Sequence, residues 1–204
     1  MADDRTILER WKISDRELTA IIDANPSLRG FMLGYVSEFK VRKMFASDKR
    51  VSNLRKYDDH DREKKGDIAF EYQGVEIRLE VKSLQTNSIR RKDKIITATF
   101  QCDASDRRIV TLGNGRKVET TCLVVDEFDL LAVNLFAFEG EWVYAYARNI
   151  DLPRTTSKKY DPRDCACLLK SLMPITWPLQ KPYTTNPWPL LDAIAAEKKR
   201  ASRR

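Results

Sequence analysis

The stretch GDIAFEYQGVEIRLEVKSLQ, residues 66–85, constrains this chain's fold more than any other. Gln73-Gly74 separates two short runs of strand-like composition, and a two-residue turn there fixes how they pair. Tyr72 then faces Val75, the numbers of facing residues sum to 147, and Asp67 faces Glu80. Side chains alternate along a strand. Val75, Ile77, Leu79 and Val81 therefore fill one face, joined by Ile68, Phe70 and Tyr72, while Arg78, Glu80 and Lys82 share the other. Two carboxylates opposed across a strand pair repel, and folding alone gives no reason to place them so. A divalent cation removes the repulsion, because Mg²⁺ takes oxygen ligands and commonly one or two carboxylates. Lys82, two residues from Glu80, adds an ammonium. It can orient or deprotonate a water, or neutralise charge building on a phosphorane-like transition state.

The segments before the hairpin read as helices. Ser14 with Glu17 three residues on is a capping box. Asn25-Pro26 starts a second helix that runs to about Phe45. Leu28, Phe31, Met32, Tyr35, Val36 and Phe39 recur at helical spacing and predict its buried face. Glu38 stands at the edge of that stripe, where an acid needs a partner. Residues 47–66 are polar and aperiodic and read as a loop; within them His60 reads as a surface residue.

After the hairpin, KIITATFQCD alternates as a half-buried strand, and a hairpin follows around Gly113-Asn114-Gly115. FDLLAVNLFAF and EWVYAYARN read as two more strands. DPRDCACLLKSL has an Asp-Pro helix start, the proline-rich MPITWPLQKPYTTNPWP reads as extended over the surface, and a last helix covers about 188–199. The whole is an α/β chain: N-terminal helices over 1–46, a β-rich core over 67–150, and C-terminal helices with a basic tail over 160–204.

Length and composition narrow the class. The 204 residues suit one domain with a sizeable core. No run of eighteen apolar residues predicts a membrane span, and MADDRTILERWK lacks the apolar centre of a signal peptide, so the cytoplasm is the expected compartment. The four cysteines form no CxxC pair and there is one histidine, which argues against a zinc site. The net charge of +7 favours an anionic partner. Its interior clusters lie at 39–43, at Arg90, Arg91, Lys92 and Lys94, and at Arg107 and Arg108. No glycine-rich phosphate loop is present.

Asp-(x)n-Glu-x-Lys on a hairpin, preceded by a helix carrying Glu38, resembles the PD-(D/E)xK nuclease superfamily, with its restriction-endonuclease-like mixed sheet flanked by helices. The signature falls on Asp67, Glu80 and Lys82, with Gly66 where the family usually has proline. The resemblance covers residues 28–100; the later strands resemble segments of small bacterial type II restriction endonucleases. It implies a DNA endonuclease that uses Mg²⁺, with Mn²⁺ as a substitute. Asp67, Glu80 and Glu38 would hold metal and Lys82 would act on the water. Arg90, Arg91, Lys92, Lys94, Arg107 and Arg108 would contact the phosphates of double-stranded DNA. Restriction by a symmetric homodimer is the leading biology it implies. A structure-specific repair or recombination nuclease, or a DNA-binding module without catalysis, are the alternatives.

Overall fold

The computed structural model describes residues 3–57 and 65–203, so the reading of His60 lies outside the described residues. The chain divides into two compact units, Met1–Val36 and Ser37–Arg204.

The first unit holds α1 (Ile7–Trp11), α2 (Asp15–Ala24) and the first half of α3 (Pro26–Ala46). Two capping boxes open α1 and α2, the second on Ser14 and Glu17 as the sequence predicts. Neither helix buries a residue. The buried face expected for α3 is wrong: Phe31 is 70% and Phe39 53% exposed, and Leu28, Tyr35 and Val36 are exposed too. The residues that α3 buries are Ser37, Val41 and Phe45, one per turn. Apolar residues lie on most sides of this helix, so helical period alone does not select the face that packs.

The second unit is built on a five-stranded mixed sheet of β1 (Val51–Lys56), β2 (Ile68–Tyr72), β3 (Val75–Ser83), β8 (Leu130–Asn134) and β9 (Tyr144–Arg148), in the order β1-β2-β3-β8-β9. The β2–β3 hairpin keeps the register expected from Gln73-Gly74, with Tyr72 opposite Val75 and Ile68 opposite Leu79. Both turn residues have positive φ, 51° and 76°, as a primed hairpin turn requires. β3 then pairs in parallel with β8, placing Glu80 beside Leu131 and Lys82 beside Val133.

Three layers result. On one face Ile68, Phe70, Tyr72, Ile77, Leu79 and Val81 pack against Val41 and Phe45 of α3 and Leu191 and Ile194 of α6 (Trp188–Ala201). On the other, Leu131, Val133, Ala145 and Ala147 meet a second sheet. That sheet is β4 (Arg90–Lys92), β5 (Ile95–Gln101) and β10 (Leu172–Trp177), in the order β10-β5-β4. A separate ribbon of β6 (Asp103–Thr111) and β7 (Lys117–Cys122) carries the turn predicted at 113–115. Two single-turn helices, α4 (Phe136–Glu139) and α5 (Pro162–Cys165), and two 3-10 turns at Thr86–Ser88 and Asn149–Asp151 lie between the strands.

Three more expectations change. The loop over 47–66 contains β1, an edge strand whose register shifts between Ser52 and Arg55; the irregularity breaks the two-residue period that would have revealed it. The Asp-Pro start at residue 161 opens only one helical turn, because Leu168 and Leu169 leave it for β-bridges. Of the proline-rich 173–189 read as a surface cover, residues 173–177 belong to β10, with Met173 and Ile175 buried against β5. The basic end is ordered where it matters to packing: Lys198 Nζ lies 2.6 Å from Asp129 Oδ2.

Candidate active site

Gly66 sets the entry to the site. Its φ is +81°, and a Cβ there would lie 3.1 Å from the Leu79 carbonyl oxygen. Proline holds φ near −65° and cannot adopt this conformation. The backbone path into Asp67 therefore excludes proline at position 66. Gly66→Ala should cost about 1–3 kcal/mol of stability, the scale of one residue forced into the left-handed region. Urea midpoints check this; an unchanged midpoint would show that the position tolerates a side chain.

Beyond Gly66, the Asp67 N–H donates to the Leu79 carbonyl at 2.9 Å. Asp67 Oδ2 accepts from the Val81 N–H at 2.7 Å, so the carboxylate is anchored across the strand pair. Glu80 is 8% exposed and its Oε1 lies 2.7 Å from Lys82 Nζ. The apolar neighbours Leu131 and Val133 on β8 hold this polar cluster at the edge of the core.

The electrostatics show that the two carboxylates are forced together. Burial, then the Glu80 charge, push the Asp67 carboxyl up to about 8, with Glu38 adding to the rise; Lys82 and the Val81 N–H only partly oppose it. Burial pulls the Lys82 ammonium down, but Glu80 and Asp67 overcome that and leave it above the ordinary lysine range. Lys82 therefore keeps its proton in the metal-free protein. Burial also pushes the Cys102 thiol, near Lys82 and Glu80, up to about 12, which leaves it protonated and inert.

Glu38 reaches the same region from α3. Its Oε2 is 3.0 Å from Lys56 Nζ, at the end of β1. Among the described residues no three His, Cys, Asp or Glu side chains converge as a metal cage. Asp67 and Glu80 fit Mg²⁺ nonetheless, since that ion is commonly held by one or two carboxylates and otherwise keeps its waters.

The basic residues separate into two groups. Arg90, Lys92, Lys94 and Arg107 are exposed. Arg90 and Lys92 line a cavity of about 320 Å³ with Asp93, Ile95 and Thr97. Arg91 sits opposite buried Ile96 and donates to the Phe138 carbonyl. Arg108 forms a two-pronged ion pair with Glu127, whose side chain is 8% exposed. Arg91 is exposed like its neighbours, and Arg90 likewise donates to the Asn87 and Ile89 carbonyls, so Arg108 differs from the rest by its ion pair with a buried carboxylate. Sequence reasoning missed Lys56 and Glu127. Lys56 fell in the stretch read as a loop, and Glu127 shows no local signal, because its partner is nineteen residues away.

No protein-family model matches the chain, and no curated protein sequence does. Among solved structures, a bacterial homing endonuclease, I-Ssp6803I, is similar at 16% identity and a TM-score of 0.35, over 70% of this chain and 87% of that one.

Proposed function

We propose that this chain is a Mg²⁺-dependent endonuclease of double-stranded DNA. What supports the reading is the covered Asp67 carboxylate bound to the Val81 N–H, with the charges of Glu80 and Lys82 acting on it and Lys82 on Glu80. Asp67 and Glu80 would hold the cation and Glu38 would support them from α3. A divalent ion there supplies Lewis acidity and lowers the pKa of bound water.

The chain's own part is positional. Val81 N–H fixes the Asp67 carboxylate, and Glu80 fixes the Lys82 ammonium. Lys82 Nζ would orient or deprotonate water, or offset negative charge on the phosphoryl oxygens. The exposed Arg90, Lys92, Lys94 and Arg107 would meet backbone phosphates. Restriction of short symmetric targets by a homodimer, one site per strand, completes the proposal. Incubating plasmid and linear duplexes with the protein in Mg²⁺, Mn²⁺ and EDTA tests it; a protein that cuts no duplex in either metal is not this enzyme.

The exposed pair Arg90 and Lys92 gives a separate test. Replacing both by alanine should weaken binding to cognate and random duplexes alike. Each lost phosphate contact should also reduce the slope of log K against log salt by about 0.9. Arg108→Ala should leave the slope unchanged, because its guanidinium is already paired with the Glu127 carboxylate. Fluorescence anisotropy over a salt series in Ca²⁺ measures both; an unaltered slope in the double variant would take this hairpin off the DNA.

A further inference from the structure

We infer that the β6–β7 ribbon is the part of the molecule that reads DNA sequence. Its outward face, Ile109 and Thr111 on β6 with Glu119 and Lys117 on β7, would meet base edges in the major groove. The inference rests on the endonuclease reading above and adds where the target is recognised.

The ribbon has two unlike faces. Arg108, Val110, Val118 and Thr120 turn inward, and the two valines pack on buried Leu112, Cys122 and Leu168. The alternate residues turn out. Ile109 stands opposite Glu119 and Thr111 opposite Lys117, and all four are exposed. Ile109, at 74%, is more exposed than any other large apolar side chain among the described residues. One isoleucine among polar neighbours is too little for a protein interface, which takes about 800 Å² per partner. It is the complement of one thymine methyl group.

Both ends of the ribbon are clamped to the body. At the root, Arg108 pairs with the covered Glu127 carboxylate. That carboxylate also lies 3.7 Å from Lys65 Nζ, one residue before Gly66. β6 itself begins one residue after Cys102, whose thiol is near Lys82 and Glu80. At the tip, the Asn114 amide donates to the buried Asp164 carboxylate at 3.1 Å, and Arg116 lies 3.4 Å from the same group. The outward side chains are therefore held at a fixed offset from the candidate active site, as choosing a cut position requires.

Dimensions agree. Paired strands lie about 4.8 Å apart, and a major groove about 12 Å wide admits such a ribbon. Ile109 and Thr111, two residues apart on one face, are separated by about 6.8 Å, which matches two base-pair steps of about 3.4 Å. The chemistry fits base edges as well. Ile109 offers an apolar contact for a thymine methyl, Glu119 an acceptor for the cytosine amino group, Lys117 an ammonium for guanine, and Thr111 a hydroxyl that donates or accepts.

The test selects duplexes from a library with a randomised segment, using the full chain in Ca²⁺, and sequences the bound fraction. Wild type should select a site containing a thymine whose replacement by uracil, which lacks the methyl group, weakens binding about fourfold. Ile109→Ala should bind the thymine and uracil forms alike. Glu119→Gln should relax selection roughly fivefold or more at one position, a cytosine. Both variants should bind random duplexes as wild type does, with the same salt slope, because phosphate contacts are untouched. Wild-type selection by folded Ile109→Ala and Glu119→Gln overturns the inference, and so does a wild type that binds duplexes without selection. Conversion of a dimer to a monomer by Ile109→Ala in sedimentation, with selection retained, would make this face a contact between copies and also overturn it. Should Ile109→Ala not fold, Glu119→Gln decides. A chain that binds no duplex overturns the endonuclease reading itself, and the inference with it.

Discussion

Asp67→Asn is expected to abolish cleavage and to melt at a higher temperature than wild type when metal is absent. Asparagine keeps an oxygen for the Val81 N–H but carries no charge to set against Glu80. The pH dependence follows from the raised carboxyl, at about 8 in the folded chain against 3.8 for an unperturbed aspartate. Between those values the folded state holds a proton that the unfolded state has released. Wild-type stability should therefore fall as pH rises from about 4 to about 8, by at most about 1.4 kcal/mol per pH unit from this group. The variant lacks the slope, so its advantage widens toward pH 8, where each kcal/mol is worth roughly 2–4 °C. Melting curves in EDTA at pH 5 and pH 8 measure it. A gap between the two proteins that is the same at both pH values would mean that Asp67 is not strained by burial and by Glu80.

Lys82→Ala should lose cleavage by roughly 10²–10⁴, the contribution of one positioned acid–base or electrostatic group, while duplex binding in Ca²⁺ survives. On the proposed reading its ammonium would act on the transition state more than on the ground-state phosphate. The variant should also be less stable without metal, because it leaves buried Glu80 with no cation. Added Mg²⁺ should restore much of that loss by replacing the missing positive charge. Normal cutting with weakened binding would make Lys82 a phosphate anchor. Destabilisation indifferent to Mg²⁺ would place the ion elsewhere.

The hairpin was fully legible because its information is local: a two-residue turn and a period of two determine which residue faces which. Asp67 lies one residue past that paired ladder, its N–H donating to the Leu79 carbonyl, so its placement relative to Glu80 does not follow from the register alone. The face of α3 was not legible, since Phe31, Tyr35 and Phe39 have the same period as the buried Val41 and Phe45, and only the β9 tyrosines and the strands they meet decide between them. β1 was hidden by its own bulge, and with it Lys56. The arginines looked alike in sequence, yet Arg91 and Arg108 are bound to Phe138 and Glu127. Those bonds form between segments far apart in the chain, which no local pattern records.

The placement of β3 between a local partner and a distant one has a consequence for synthesis. Asp67, Glu80 and Lys82 all lie on one hairpin, which can form in about 1–10 μs once its residues emerge. The strand that walls the cluster, β8, begins only at Leu130, and β10 only at Leu172. At roughly 5–20 residues per second the hairpin waits on the ribosome for several seconds before either arrives. During that interval its acids stand in water. The cluster is drawn early in translation, and the walls that dry it come from the second half of the chain.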